Sequence, residues 1–172
     1  MAKEYISFSL SINPLAVNHY YTKANIFFLE GRFEEAIKII EKGLNIAPQY
    51  SILLELKVAC AIQLNDSSKL PKSIPDSLQA LKSISDFMLN RDIDRTVLQS
   101  FLDDYNSSNN HLLLSWDVYA LVKSNELGSA MTLIESKVKE CHGNIINLEY
   151  DPFLKSLHPS VEFLDILSKR TF

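Results

Sequence analysis

The sequence predicts an all-α chain of repeated helix-turn-helix units stacked into a right-handed superhelix. Three observations carry that prediction. The stretch from Val17 to Tyr50, VNHYYTKANIFFLEGRFEEAIKIIEKGLNIAPQY, holds two runs of apolar residues at helical spacing, parted by Gly31 and closed by Pro48. Its length is 34 residues, a period at which helical hairpins stack. Moving it back by one period sets Ala36 on Ala2, Ile40 on Ile6, Leu44 on Leu10 and Pro48 on Pro14, so the pattern recurs at the same spacing.

Residues 2–14 therefore read as the second helix of a repeat whose first helix is absent, as in a piece of a longer protein. Terminal repeats of such arrays carry a polar outer face, whereas Tyr5, Ile6, Phe8, Leu10 and Ile12 spread apolar surface around much of this helix. The expectation is an exposed apolar face that favours self-association. The principal repeat, 17–50, predicts helices near 17–30 and 33–46. Ala24 and Ala36 stand where the two must approach closely, and Gly31 supplies the positive φ that a tight turn requires. On the second helix Phe33, Ala36, Ile37, Ile40 and Leu44 form the apolar stripe, opposite Glu34, Glu35, Lys38, Glu41 and Lys42. Glu34 and Lys38 are spaced for a weak i,i+4 ion pair.

Residues 51–105 read as a degenerate repeat. SILLELKVACAIQL at 51–64 is a strongly apolar helix, and 65–75, with two prolines, is an inserted surface loop. A helix is expected from Pro75 or Asp76 through Met88. Its apolar phase breaks at Asn90-Arg91-Asp92, and Asp92 suits the N-cap of a further helix ending near Tyr105. One long helix bent near 91 is the alternative to two. The next small anchor, Ala130, lies 94 residues after Ala36, which is no multiple of 34 and marks the extra helix. After a polar loop at 106–110, a second clear repeat spans 111–144. There Val118, Leu121, Leu127, Ala130, Ile134 and Val138 align with Ala24, Phe27, Phe33, Ala36, Ile40 and Leu44. Asn125 replaces the turn glycine, and asparagine tolerates the left-handed conformation. His142 replaces the closing proline. Residues 145–172 read as a C-terminal cap, giving one domain, 1–172, of about seven or eight helices plus that cap.

Gly31, Phe33 and Ala36 in a Gly-x-Phe-x-x-Ala run, with Leu44 and Pro48 closing the unit, resemble the tetratricopeptide repeat. The tail, with Asp151, Pro152, Phe153 and Leu157 followed by Phe163, Ile166 and Leu167, is similar to an ending found after such arrays in multidomain bacterial regulators. His158 replaces an arginine of that ending, and its proline is displaced to Pro159. The resemblance implies a binding scaffold whose ligand contacts come from the first helix of each repeat, on the concave surface. The matching positions are Asn18, Tyr21, Asn25 and Phe28, then Ile52, Glu55 and Ala59, then Ser115, Trp116, Tyr119 and Val122. Family members that grip a peptide C-terminus need a basic and asparagine set there. Asn25 matches one position, but Tyr21 stands in place of lysine and Glu55 repels a carboxylate. An extended peptide, a partner helix or a neighbouring domain is the expected guest. In the alternative reading Tyr21, Trp116 and Tyr119 are partly core.

Composition bounds what else the chain does. Its 172 residues, 47% hydrophobic and 22% charged, are typical of a globular domain. No apolar run reaches the ~20 residues of a membrane span, and the N-terminal stretch lacks a secretory signal's continuous apolar core. The default compartment is the cytoplasm. The net charge of −4 is mixed along the chain, with no basic cluster to neutralise phosphates, so direct nucleic-acid binding is not expected. Cys60 and Cys141 read as free thiols. Cys141 and His142 are adjacent on a helix and point about 100° apart, which denies them a nucleophile-base geometry. His19, His111, His142 and His158 lack metal-ligand spacing, and the four glycines form no phosphate loop. The expected function is non-enzymatic protein or peptide binding without cofactor or metal, in a fragment of a larger bacterial regulator. Self-association through residues 2–13 is the alternative.

Overall fold

The structure, a computed structural model, describes residues 2–90, 95–107, 115–139 and 148–168. Among them are nine α-helices and no strand. The all-α expectation holds, with the ninth helix in the C-terminal segment. No helix among the described residues is long and apolar enough to cross a membrane. The chain divides into two compact units, Met1–Ser85 and Asp86–Phe172.

The first unit opens with α1 (Ala2–Ile12), α2 (Val17–Leu29), α3 (Phe33–Ile46) and α4 (Ser51–Leu64), close to the expected bounds. Each helix packs on the next, and α2 also meets α4. On α3 the buried residues are Ala36, Ile37, Ile40 and Gly43, with Glu34, Lys38, Glu41 and Lys42 exposed. Apolar residues at this spacing form one stripe that leaves water together. By contrast α4 is apolar on every side and is buried on every side, from Leu53 to Ala61 with only Lys57 part-exposed. Gly43 marks the tightest point of the stack. A Cβ there would lie 2.5 Å from Leu53 Cδ1 on α4 and 3.0 Å from Tyr20 Cβ on α2. The Glu34–Lys38 pair does not form. Glu34 meets Lys69 at 3.7 Å, and Glu41 meets Lys57 at 3.1 Å, linking α3 to the α4 hairpin.

Three helix ends share one backbone motif. Gly31 follows α2 with φ +74°, and Asn65, exactly one 34-residue period later, follows α4 with φ +51°. Gly31 N–H donates to Phe28 O and Arg32 N–H to Phe27 O, while Asn65 N–H donates to Ile62 O and Asp66 N–H to Ala61 O. These paired bonds define the Schellman end, which satisfies carbonyls the helix leaves open. The turn after α4 is thus in register, and the departure lies beyond it. One period after Phe33 a helix begins as a 3-10 turn, Ser67–Lys69, with the Asp66 carboxylate accepting from Ser68 N–H at 2.9 Å. Pro71 stops it, since the residue before proline is driven out of the helical region, and Leu70 is extended at φ −57°, ψ 155°. The chain resumes as a 3-10 turn, Asp76–Leu78, running into α5 (Gln79–Leu89).

In the second unit the end of α5 is followed by α6 (Arg95–Ser107), α7 (Trp116–Lys123), α8 (Leu127–Lys139), a 3-10 turn at Pro152–Leu154 and α9 (Val161–Ser168). The expected break appears as two separate helices, α5 ending at Leu89 and α6 beginning at Arg95, with Asn90 outside α5. The Phe87 ring stacks on Phe101 at 4.3 Å. Helix α6 runs two residues past the expected Tyr105, into the expected 106–110 loop. The Asp92 cap, the rest of that loop, His111, Cys141 and His142 lie outside the described residues.

The motif recurs after α7. Asn125 has φ +61° and donates to Val122 O, and Glu126 N–H donates to Leu121 O. These bonds repeat those at Gly31 with every residue shifted by 94. Burial repeats too: Ala24 and Val118, Ala36 and Ala130, and Ile40 and Ile134 are buried pair by pair. The ends of α2 and α7 therefore close in the same way, with asparagine in the place of glycine. Beyond it α9 packs on α8, burying Phe163 and Ile166, and the Pro152–Leu154 turn packs on α7.

Candidate functional site

Six of the eleven positions placed on the concave face by sequence register are buried: Phe28, Glu55, Ala59, Ser115, Trp116 and Tyr119. Phe28 is 1% exposed and meets the Phe33 ring at 5.7 Å, joining α2 to α3. Glu55 is 2% exposed on α4. Trp116 and Tyr119 are both buried on α7 and form an aromatic cluster with Phe153. The Trp116 ring stands edge-on to Tyr119 and to Phe153, at 5.6 Å from each, while Tyr119 stacks on Phe153 at 4.3 Å. The reason is the cap. Repeat register alone leaves this side of α7 open to a ligand, but the Pro152–Leu154 turn closes over it, and α7 is buried without interruption from Trp116 to Leu121.

Of the five that stay accessible, Ile52 on α4 and Val122 on α7 are half-buried, and the other three lie together on α2. Asn18, Tyr21 and Asn25 follow one another at three- and four-residue spacing, hence on one face of α2. Asn18 is exposed and the other two are half-buried. The Tyr50 hydroxyl, at the start of α4, donates to Asn18 Oδ1 and ties the two helices together. Tyr21 has its hydroxyl pKa raised, first by burial and then by Glu55 and Tyr50 beside it. Register and structure thus bring Asn18, Tyr21 and Glu55 together with Tyr50, a residue that register did not select. Tyr50 was hidden because it precedes its helix, and only the α2–α4 packing brings it against Asn18. The face offers amide groups and phenol oxygens over a buried carboxylate, which suits hydrogen-bond donors and opposes a carboxylate ligand.

The second unit holds a different polar network. Tyr119 donates its hydroxyl proton to Asp151, whose other oxygen accepts from Phe153 N–H at 2.9 Å and caps the 3-10 turn. Burial pushes the Asp151 carboxyl above its ordinary pKa, while those two hydrogen bonds and the nearby His158 pull the other way. The His158 ring stacks on Phe163 at 5.4 Å, and its Nε2 is buried without a hydrogen-bond partner. Asp117, 5% exposed, meets Lys137 at 2.9 Å and joins α7 to α8. The Tyr119–Asp151 bond and the His158–Phe163 stack order the packing of the C-terminal cap.

Burial pushes the Cys60 thiol up to about 12, so the nucleophilic thiolate is scarce at neutral pH. Among the described residues no three His, Cys, Asp or Glu side chains gather as a metal site. No family model, no curated protein and no solved structure matches this chain.

Proposed function

We propose that the chain is a non-enzymatic interaction scaffold of tetratricopeptide type, working in the cytoplasm as part of a larger bacterial regulator. On this reading it binds an extended peptide, a partner helix or a neighbouring domain on the α2 face made by Asn18, Tyr21 and Asn25. The observation that carries the reading is the half-exposed Tyr21 and Asn25 beside exposed Asn18, where α2 meets α4. A tyrosine held this way supplies contact area at small entropic loss. Its neighbouring amides satisfy the N–H and C=O groups of an extended chain. Glu55 below the face sets the preference, favouring segments with cationic or N–H donor groups over free C-termini.

The test is a peptide display selection on the whole chain, followed by titration of the best ligand. Tyr21→Ala with Asn25→Ala is expected to weaken that ligand at least tenfold, about 1.4 kcal/mol. An unchanged affinity would remove the α2 face from the binding site. Trp116 is unsuited as a probe, because replacing a buried indole unsettles the second unit itself.

A further inference from the structure

Helix α1 is apolar on two sides, and only one of them is covered. Ile6 is buried and Leu10 half-buried on the side that meets α2. On the other side Tyr5, Phe8, Ile12 and Leu15 are 71%, 63%, 68% and 71% exposed. Their spacing of three, four and three residues makes one continuous stripe along the helix and the turn after it. Scattered exposed apolar residues are ordinary, whereas a contiguous stripe marks a docking surface.

We infer that this stripe is the interface between two copies of the chain, packed α1 on α1 about a twofold axis. Two features select a second copy as the occupant. The first is charge. From Tyr5 to Thr22 the sequence holds no Asp, Glu, Lys or Arg. A twofold interface sets a surface against itself, so any charge on it meets its like. This stretch satisfies that condition, and it offers nothing to recognise a charged partner. A membrane-surface helix carries several Lys and Arg along its polar face, but α1 holds only the oppositely charged Lys3 and Glu4 in its first turn, and its remaining polar positions are Ser7, Ser9 and Ser11. Ser11 already donates to Phe8 O at 2.6 Å, and Ser7 accepts from Lys23 Nζ at 3.1 Å.

The second feature is area. The exposed parts of the four side chains amount to roughly 500 Å² per copy, given that an aromatic side chain buries about 150–250 Å². Two copies face to face then remove about 1,000 Å², near the lower limit for a specific interface. Such an area suits a reversible dimer rather than an obligate one. With the axis between Phe8 and Ile12, Phe8 of each copy packs on Ile12 of the other, and Tyr5 reaches Leu15 at the rim.

Sedimentation of the whole chain from about 5 to about 500 μM tests this. The mass is expected to rise from 19.6 kDa towards twice that value. Phe8→Glu and Ile12→Glu each place two like charges across the axis and hold the mass at 19.6 kDa throughout. The pair Val161→Glu and Leu164→Glu, on the exposed side of α9, leaves the dimer intact. Circular dichroism checks that each variant is folded. Should Phe8→Glu unfold, oxidation of the double variant Phe8→Cys with Ile12→Cys, which face each other across the axis and are expected to give a disulfide-linked dimer where Val161→Cys with Leu164→Cys gives none, decides the matter. A monomer at every concentration, a dimer that survives both α1 substitutions, or one abolished only by the α9 pair overturns the inference. So does a monomer that floats with phosphatidylcholine vesicles in a Phe8-dependent way, which assigns the stripe to lipid.

Discussion

Replacing Gly43 by alanine sets two opposing effects against each other at one atom. Alanine in a helix interior is better than glycine by about 1 kcal/mol, so a methyl added to an open site on α3 would stabilise. Here the new Cβ falls 2.5 Å from Leu53 Cδ1 and 3.0 Å from Tyr20 Cβ. Carbon atoms rest at about 3.5–4.0 Å, so one contact is short by about 1 Å and the other by about half that. Leu53 is fully buried, so its methyl moves only by turning the side chain within the core. The Tyr20 Cβ is fixed to the α2 backbone and yields only if that helix moves. Overpacking of this kind costs about 1–3 kcal/mol, and with two helices pressed at once the upper half of that range applies. The net expectation is a loss of about 1–2 kcal/mol, seen in urea unfolding by circular dichroism as a midpoint lower by about 0.5–1 M. Leu53→Ala opens the pocket, so the double variant should lose less than the sum of the singles. Gly128→Ala, where a Cβ meets nothing within 4 Å, is the open-site control and should be neutral or stabilising. A Gly43→Ala protein as stable as the parent would refute the close approach of α2, α3 and α4.

Two further outcomes follow from the helix ends and the C-terminal network. Asn125 holds the left-handed end of α7 at φ +61°, so Asn125→Ala should cost about 1 kcal/mol and Asn125→Gly should be neutral or better, measured by urea unfolding followed through Trp116 fluorescence. Asp151 has a folded pKa above its ordinary value, chiefly through burial. The fold therefore favours the protonated acid, and that contribution is complete below the unfolded value of 3.8 and is lost as pH rises through the folded value. Asp151→Asn keeps an acceptor for Phe153 N–H but does not titrate. The stability of the parent relative to this variant should thus fall as pH rises through the acidic range, and a pH-independent difference would contradict burial as the dominant cause.

The helices were legible because each carries its apolar residues at a period that only one backbone form can bury. The 34-residue spacing placed Gly31, and the 94-residue offset placed Asn125 on an equivalent turn. Asn65 stood at the same period and was hidden in a loop rich in polar residues and proline, though its turn is regular and Pro71 causes the break. The α2 face was legible at Asn18, Tyr21 and Asn25, since register along one helix decides which side chains share a side. Register cannot say what covers that side. Tyr119 holds on α7 the position of Asn25, with Trp116 beside it, yet Phe153, more than thirty residues later in the chain, closes over both. Glu55 follows the same rule on α4, a helix enclosed all round.

From its own residues the sequence determines the all-α class and the bounds of the first four helices, because these follow from local spacing and turn chemistry. It also carries the charge-free apolar stripe of α1. Only the tertiary structure decides which of the expected contact residues remain in reach of a partner, which polar groups pair across helices, and where glycine is needed for close approach. Those outcomes depend on segments distant in sequence that compete to cover the same surface, and no local period encodes that competition.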